Sequence, residues 1–327
     1  SSIYTSASAF GVESYEGNYG FYNSGSIVVD ATGETRTSAD EDTFGNDATA
    51  EAFSYTSTNA YAVGASFYSE DEGDMVLDGG SITVRANASG FTSAEASTYV
   101  DASCTVEESC TSEAGAGFAD SFGEVHATAY GVRADGHNSR TGSLENWGDI
   151  DVVATSRMTG IARSAADGDD AVARTGAHRD YYDIDEGLYT TYINEVSATA
   201  AGVSLDALEI DGDVENFDGI YAGAFAHGQA TADASGTYEV TAEAGFSAVA
   251  DAKGVDIDTL LMDGGFTNDG SIEAVSGVYL RNGEEDFVPL VAHARSDDDA
   301  EAELYVYGSS RATGVEINAH SMTGDFY

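Results

Sequence analysis

The sequence predicts an all-β fold: a β-solenoid, or parallel β-helix, with long β-hairpin or loop insertions, forming one elongated repeat domain over residues 1–327. Two short motifs alternate along the chain, and the separation from the second motif to the next copy of the first is nearly constant. The surrounding segments alternate small and polar residues. Such repeats are typical of units that bury their apolar faces by stacking on one another. The single proline, Pro289, and the even composition indicate no linker between domains.

The first motif is a turn that leads into a strand, and it ends in isoleucine. Asn or Asp stands four positions before the isoleucine and Gly one or two before it, which suits a tight turn because Asn and Gly tolerate positive φ. Small or β-branched residues follow at two and four positions after the isoleucine, so one face of the strand points inward. The motif occurs at Ile27, Ile82, Ile150, Ile220 and Ile272.

The second motif, Ala-x-Ala-x-Gly-Val, predicts a strand with one small apolar face. It ends at Val12, Val132, Val203 and Val255, with variants that end at Ala65 and Val315. The separation from this motif to the next isoleucine is nearly constant, from its shortest at Val12 to Ile27 to its longest at Val132 to Ile150, which indicates a structural rung. The separation from each isoleucine to the next second motif varies several-fold, which indicates insertions. The shortest repeat, from Ile3 to Ile27, predicts the minimal coil.

Residues 220–254 carry small or apolar residues at almost every even position and polar residues at most odd ones. This pattern predicts long strands broken at Ser235 and Gly236, and it excludes an amphipathic helix, whose period is 3.6. Alanine is disfavoured in strands, so its abundance predicts a thin interior between closely facing sheets. Alternation does not assign strand direction, and an antiparallel β-sandwich of long hairpins is the alternative.

The charge of the chain restricts its partners. There are 58 acidic residues and 12 basic ones, a net charge of −46. Such a field repels nucleic acid and anionic lipid, and we expect neither as a partner. No apolar run reaches the ~18 residues of a membrane-spanning helix, so we expect no membrane insertion. High salt or divalent cations would screen the self-repulsion.

The two alternating motifs resemble the β-helical repeats of bacterial autotransporter passengers and filamentous adhesins. The resemblance covers nearly the whole chain and rests on the Ala-x-Ala-x-Gly-Val and Asn-x-Gly-x-Ile-x-Val-x-Ala units. It implies secretion, an extracellular or cell-surface location, and a role in adhesion or scaffolding.

The two ends of the repeat array predict self-assembly. The first isoleucine lacks the Asn turn that precedes the others, and the last Gly-Val lacks a following Ile strand. Joining two copies would give Val315 and the next Ile3 the same separation that Val12 and Ile27 have within the chain. An array without polar caps exposes unpaired strands and can grow into a filament. The expected interface comprises Ser1, Ser2, Ile3, Thr5, Ala7, Val315, Phe326 and Tyr327.

We therefore predict a structural subunit of an extracellular or cell-surface filament, whose partner is itself in a head-to-tail homopolymer. A surface adhesin or carbohydrate-binding module, with a cell surface or glycans as its partner, is the alternative. A glycan-active β-helix enzyme is a third hypothesis. We expect no enzyme, because no basic or aromatic subsite accompanies any acidic run in the sequence.

Metal and thiol chemistry give few candidates. The chain is expected to have no cofactor, with calcium as the metal that its carboxylates could bind. The candidate ligands are Asp167, Asp169, Asp170, Asp211 and Asp213. Cys104 and Cys110 predict either a short-loop disulfide, in an oxidising compartment, or two free thiols.

Overall fold

The computed structural model describes residues 1–14, 20–44, 49–68, 73–99, 116–166, 171–175, 181–182, 189–190, 194–237, 239–280, 290–295 and 299–327. This part of the chain contains strands and no helix. In chain order they are β1 (Ser2–Ser14), β2 (Phe21–Asn23), β3 (Ser26–Phe44), β4 (Ala50–Phe67), β5 (Met75–Leu77), β6 (Ser81–Tyr99), β7 (Gly117–Thr141), β8 (Leu144–Asn146), β9 (Asp149–Ala166), β10 (Ala171–Thr175), β11 (Tyr181–Tyr182), β12 (Tyr189–Thr190), β13 (Asn194–Asp211), β14 (Val214–Asn216), β15 (Gly219–Ser235), β16 (Glu239–Asp263), β17 (Phe266–Asn268), β18 (Ser271–Leu280), β19 (Leu290–Arg295) and β20 (Asp299–Met322).

Three parallel sheets form a β-solenoid, and the chain passes through them in turn. Sheet A contains β1, β4, β7, β13, β16 and β20, sheet B contains the short β2, β5, β8, β14 and β17, and sheet C contains β3, β6, β9, β15 and β18. One passage through A, B and C is a coil, so that β1 to β3 form the first coil and β20 begins the sixth. β10 pairs with the first part of β16, before the part that pairs with β13. In sheet C, β19 pairs with the last part of β15, after the part that pairs with β18.

The solenoid fold predicted from the repeats is confirmed, and the antiparallel alternative is wrong for the described strands. Every pair in sheets A, B and C is parallel, and the antiparallel pair is the short β11–β12. The segment around Ser235 does break into two strands, β15 and β16, but these belong to different sheets. The variable segments therefore supply the outer halves of long strands in sheets A and C.

The two sequence motifs occupy fixed columns, meaning residues in register on successive strands of a sheet. The alanine of the second motif forms a column of sheet A from Ala7 to Ser310, and the isoleucines from Ile27 to Ile272 form one of sheet C. The constant rung is the path from sheet A through sheet B to sheet C.

The length of a coil differs from the sequence prediction. The shortest coil runs from Ala198 to its column neighbour Ala250, and the longest runs from Ala127 to Ala198. Even the shortest is more than twice the Ile3 to Ile27 segment. The prediction of a minimal coil over that segment is therefore wrong, because a coil includes both outer arms.

Two positions of the repeat also differ from the prediction. Ile3 lies in sheet A opposite Thr56, outside the isoleucine column. In the second coil, the column of Asn23 and Asn146 holds Leu77 and not Asp78. Gly79, at φ +66°, accommodates the extra residue of that turn.

Sheets A and C pack face to face, and small residues fill the space between them. Inward-facing alanines of β15 and β16, such as Ala224 and Ala250, are almost completely buried. Where a bulky side chain enters this layer, a glycine faces it. A Cβ on Gly228 would lie 2.3 Å from Cε1 of Phe246, and one on Gly123 would lie 2.3 Å from Cε of Met158. Phe246 and Met158 thus fit in this layer because a glycine faces each of them.

The glycine of the second motif forms a column of its own within the strands of sheet A, opposite the isoleucine column of sheet C. At Gly11, Gly64, Gly131, Gly202 and Gly254, a Cβ would lie 2.4–2.6 Å from the carbonyl oxygen of the next glycine in the column. It would also lie 2.2–2.5 Å from Cγ2 of an isoleucine in sheet C. The last glycine of the column, Gly314, has no atom within 4 Å of such a Cβ. The first five positions therefore require glycine for packing, and Gly314 does not within a single copy.

Candidate functional site: the two exposed edges

The solenoid has an exposed strand edge at each end. We name β1 and β2 the front edge, and β20 with residues 325–327 the rear edge. Among the described residues, β1 pairs only with β4, β2 only with β5, and β20 only with β16. Phe326 continues sheet B by a parallel bridge to Phe266. Both edges present unpaired backbone groups in two sheets, which makes them templates for a further strand.

Exposed apolar side chains at the two edges belong to the same columns. Following the register across the six coils, Tyr4 is in the column of Tyr307, and Phe21 is in the column of Phe326. The full set of matched pairs is Ile3 with Val306, Tyr4 with Tyr307, Val12 with Val315, Phe21 with Phe326, and Tyr22 with Tyr327. Tyr4 is 73 % exposed and Tyr307 63 %. At these five column positions, both edges therefore carry apolar or aromatic residues.

The inward face of β20 is partly uncovered. Val306 is 52 % exposed, whereas Phe246, its column neighbour on β16, is 1 % exposed. The difference arises because, within the described ranges, sheet C has strands for five coils and sheet A for six. The rear edge thus presents small and apolar residues, including Leu304 and Val306, whose column neighbours on β16, Ala244 and Phe246, are buried.

A group of cations lies on the outer face of sheet A near the rear edge. Lys253, the single lysine of the chain, has its Nζ 2.8 Å from Oδ2 of Asp256 and 3.0 Å from Oε2 of Glu316. Arg311 has Nη2 2.9 Å from Oε1 of Glu316. The hydrogen bond from Lys253, together with that from Arg311, lowers the pKa of the Glu316 carboxyl. The Lys253–Glu316 pair joins β16 to β20, and the two cations offset part of the negative charge at this edge.

A hydrogen bond of sheet B recurs in every second coil. The Asp74 carboxylate in the second coil accepts a bond of 3.0 Å from the Ser143 N–H in the third. The Asp213 carboxylate in the fourth coil accepts one of 2.7 Å from the Gly265 N–H in the fifth. Sequence reasoning missed this role of the two aspartates. The signal was a Gly-Asp-apolar triplet that leads into sheet B at Gly73 to Met75, Gly212 to Val214 and Gly324 to Phe326, although the same triplet at Gly148 to Ile150 leads into sheet C.

Aromatic side chains follow one another on the outer surfaces. The rings of Phe10, Tyr61 and Tyr130 lie with centroids 5.7 and 6.1 Å apart. Burial raises the pKa of Tyr61 to about 12. Elsewhere, the single tryptophan, Trp147, stacks on Phe217 at 3.8 Å with its ring plane inclined by 16°.

The structure brings the predicted interface residues to the two edges. Ser1 precedes β1, and its ammonium nitrogen donates to the Phe53 carbonyl at 2.6 Å. Ser2, Ile3, Thr5 and Ala7 lie on β1 at the front edge. Val315 lies on β20, with Phe326 and Tyr327 following it, at the rear edge.

The predicted calcium ligands are not brought together among the described residues. Asp213 uses a carboxylate oxygen on Gly265, and Asp211 ends β13 on the surface. In the ranges that the structure describes, no group of three or more His, Cys, Asp or Glu could hold a metal. Asp167, Asp169, Asp170, Cys104 and Cys110 lie outside those ranges. In the same part of the chain, no helix has the length and apolar character needed to cross a membrane.

Comparison with known proteins gives no relative. The chain matches no protein-family model, no curated protein and no solved structure.

Proposed function

We propose that this protein is the structural subunit of an extracellular or cell-surface filament, in which copies stack head to tail. The rear edge of one copy pairs with the front edge of the next, so that sheets A and B continue across the junction. β20 lies beside β1 of the next copy, and Phe326 lies beside its Phe21. This contact joins two different surfaces and does not close on itself, so it generates a filament.

The observation that carries this proposal is the column match of the two edges. In stacked copies, Val306 meets Ile3 of the next copy in a column whose other members face the interior. Tyr307 meets Tyr4, which already contacts Tyr55 at a centroid distance of 5.5 Å. Tyr327 meets Tyr22 on sheet B. Burial of these exposed side chains, together with paired backbone edges, favours association.

Stacking also explains the glycine at the end of the column. Gly314 would lie against the carbonyl oxygen of Gly11 in the next copy, at the separation that the other five glycines keep from their neighbours. The requirement for glycine that is absent in a single copy is then present in the filament.

Two features of the junction set the conditions for assembly. Sheet C lacks a sixth strand among the described residues, so a gap of one strand width separates β18 from β3 of the next copy. The net charge of −46 makes copies repel one another. Screening at ~1 M salt, where the Debye length is about 3 Å, weakens this repulsion and favours filaments.

One observation favours the alternative of an adhesive or carbohydrate-binding surface. Trp147 is 47 % exposed and stacks on Phe217, and its Nε1 donates to Oε2 of Glu145 at 3.4 Å. A flat aromatic ring beside a carboxylate is suited to stacking on a sugar ring. This surface lies away from both edges, so a filament could carry it along its length.

The proposal is tested by electron microscopy and sedimentation of the purified chain at ~1 M salt, compared with the Gly314→Ala variant. Wild-type protein is expected to form filaments one molecule wide. Gly314→Ala is expected to fold normally and to stay monomeric at concentrations where the wild type assembles, because the new Cβ would meet the Gly11 carbonyl of the next copy.

Gly308→Ala is the matched control on the same strand. Its Cβ would make an ordinary contact of 3.5 Å with Val278, and its column neighbour on β16 is Ala248. This variant is expected to form filaments as the wild type does. A monodisperse wild-type monomer by light scattering under these conditions would contradict the proposal, as would assembly of Gly314→Ala at the same concentration as the wild type.

A further inference from the structure

We infer that Asp325 and Gly20 form a polar contact that fixes the register of the junction, in which the Asp325 carboxylate of one copy accepts the Gly20 N–H of the next. This inference rests on the proposed head-to-tail stacking. It concerns the column of sheet B that runs through Gly20, Asp74, Ser143, Asp213, Gly265 and Asp325, as the backbone hydrogen bonds of the following residues define it.

The same contact occurs twice inside the molecule. In this column the second and fourth coils hold aspartate, and the third and fifth hold Ser143 and Gly265. Each aspartate accepts from the backbone N–H one coil further on, at 3.0 Å from Asp74 to Ser143 and at 2.7 Å from Asp213 to Gly265. The acceptor always precedes the donor by one coil.

The other two members of the column, Asp325 and Gly20, lie at opposite edges of the molecule. Asp325, in the sixth coil, is exposed, and its Oδ2 accepts from its own neighbour Tyr327 at 3.1 Å. Gly20, in the first coil, is exposed. Because the Phe21 N–H donates to the Asp74 carbonyl in the second coil, and successive N–H groups of an extended strand point to opposite sides, the Gly20 N–H points to the side where a preceding coil would lie. Because acceptors occupy even coils and donors odd ones, a stack of six-coil units alternates without interruption only if Asp325 is followed by Gly20.

The donor positions of this column hold small residues, which allow neighbouring strands to approach closely. A Cβ on Gly265 would lie 2.5 Å from the carbonyl oxygen of Asp325, and one on Gly20 would lie 2.5 Å from that of Asp74. Phe326 would donate its N–H to the Gly20 carbonyl, as Phe266 does to Asp325 at 3.0 Å. The carboxylate contact therefore accompanies a backbone pairing in the same column.

The test compares Asp325→Ala with Asp325→Asn by the critical concentration for filament formation, measured by sedimentation at ~1 M salt. Both variants remove the same charge, so they change the repulsion between copies equally. Only asparagine keeps an acceptor oxygen. We expect the critical concentration of Asp325→Ala to exceed that of Asp325→Asn about fivefold, the effect of one neutral hydrogen bond.

Asp213→Ala and Asp213→Asn are the control pair, because their contact is intramolecular. They are expected to differ in the denaturant midpoint of the monomer and not in critical concentration. Equal critical concentrations of the two Asp325 variants, with wild-type filaments present, would overturn this inference alone. Absence of wild-type filaments would overturn the proposed function and this inference with it.

Discussion

The fifth and sixth coils carry nearly the same strand of sheet A and differ in what covers it. β16 in the fifth coil lies between two strands of its sheet and beneath sheet C, whereas β20 has a neighbour on one side and is partly uncovered. The same columns that bury Phe246 and constrain Gly254 leave Val306 and Gly314 open. The repeat therefore supplies stability in the middle of the array and leaves an exposed strand edge at its end.

The largest effect expected from this contrast is on a bulky interior side chain. Phe246→Ala removes a ring that packs against Gly228 in a layer filled mostly by small residues, and it leaves a cavity that the sheets cannot close. We expect a loss of ~3–5 kcal/mol in the free energy of unfolding, typical of a large-to-small change in a core. Chemical denaturation followed by circular dichroism, below the concentration of assembly, measures it.

Val306→Ala is the matched variant, because Val306 is the column neighbour of Phe246 in the sixth coil. Its side chain is half exposed in a single copy, and we expect a change within about 0.5 kcal/mol. A loss comparable to that of Phe246→Ala would mean that the sixth coil is covered as the fifth is.

A smaller effect is expected in the glycine column. In Gly202→Ala the Cβ would lie 2.3 Å from Cγ2 of Ile220 and 2.6 Å from the Gly254 carbonyl oxygen, so backbone or sheet spacing must shift. Overpacking of this kind costs ~1–3 kcal/mol of stability. Gly314→Ala should leave the denaturant midpoint of the monomer unchanged. Equal losses of stability in Gly202→Ala and Gly314→Ala would contradict the difference between the middle of the array and its end.

Much of this fold is predictable from the sequence because its determinants are local. The turn before each isoleucine and the small face of each strand appear as fixed residue types at short spacing, and they predict the solenoid. Strand direction is not encoded locally, since alternation is the same in parallel and antiparallel strands. The length of a coil is not encoded locally either, because the outer arms of one coil pair with other coils and not with each other.

The edge residues are predictable only in part. Val315, Phe326 and Tyr327 follow from the interrupted repeat, whereas Val306, Tyr307 and Asp325 emerge only from register. Ile3 is assigned to the wrong column by its sequence, because Thr5 and Ala7 follow it as small or β-branched residues follow the other isoleucines. Only the pairing with Thr56 places it in sheet A. Contacts across coils join residues a whole coil apart in the chain, which no short pattern records.

The most direct test of head-to-tail stacking is an intermolecular disulfide across the junction. With Cys104 and Cys110 replaced by serine, the double variant Tyr4→Cys and Tyr307→Cys places thiols on neighbouring strands of adjacent copies, within the range of Cα separations that a disulfide spans. Oxidation should give a ladder of multimers in non-reducing electrophoresis. A variant with Tyr4→Cys and Glu273→Cys, the latter on sheet C, should give none. Absence of the first ladder, or equal ladders from both variants, would contradict the proposed register.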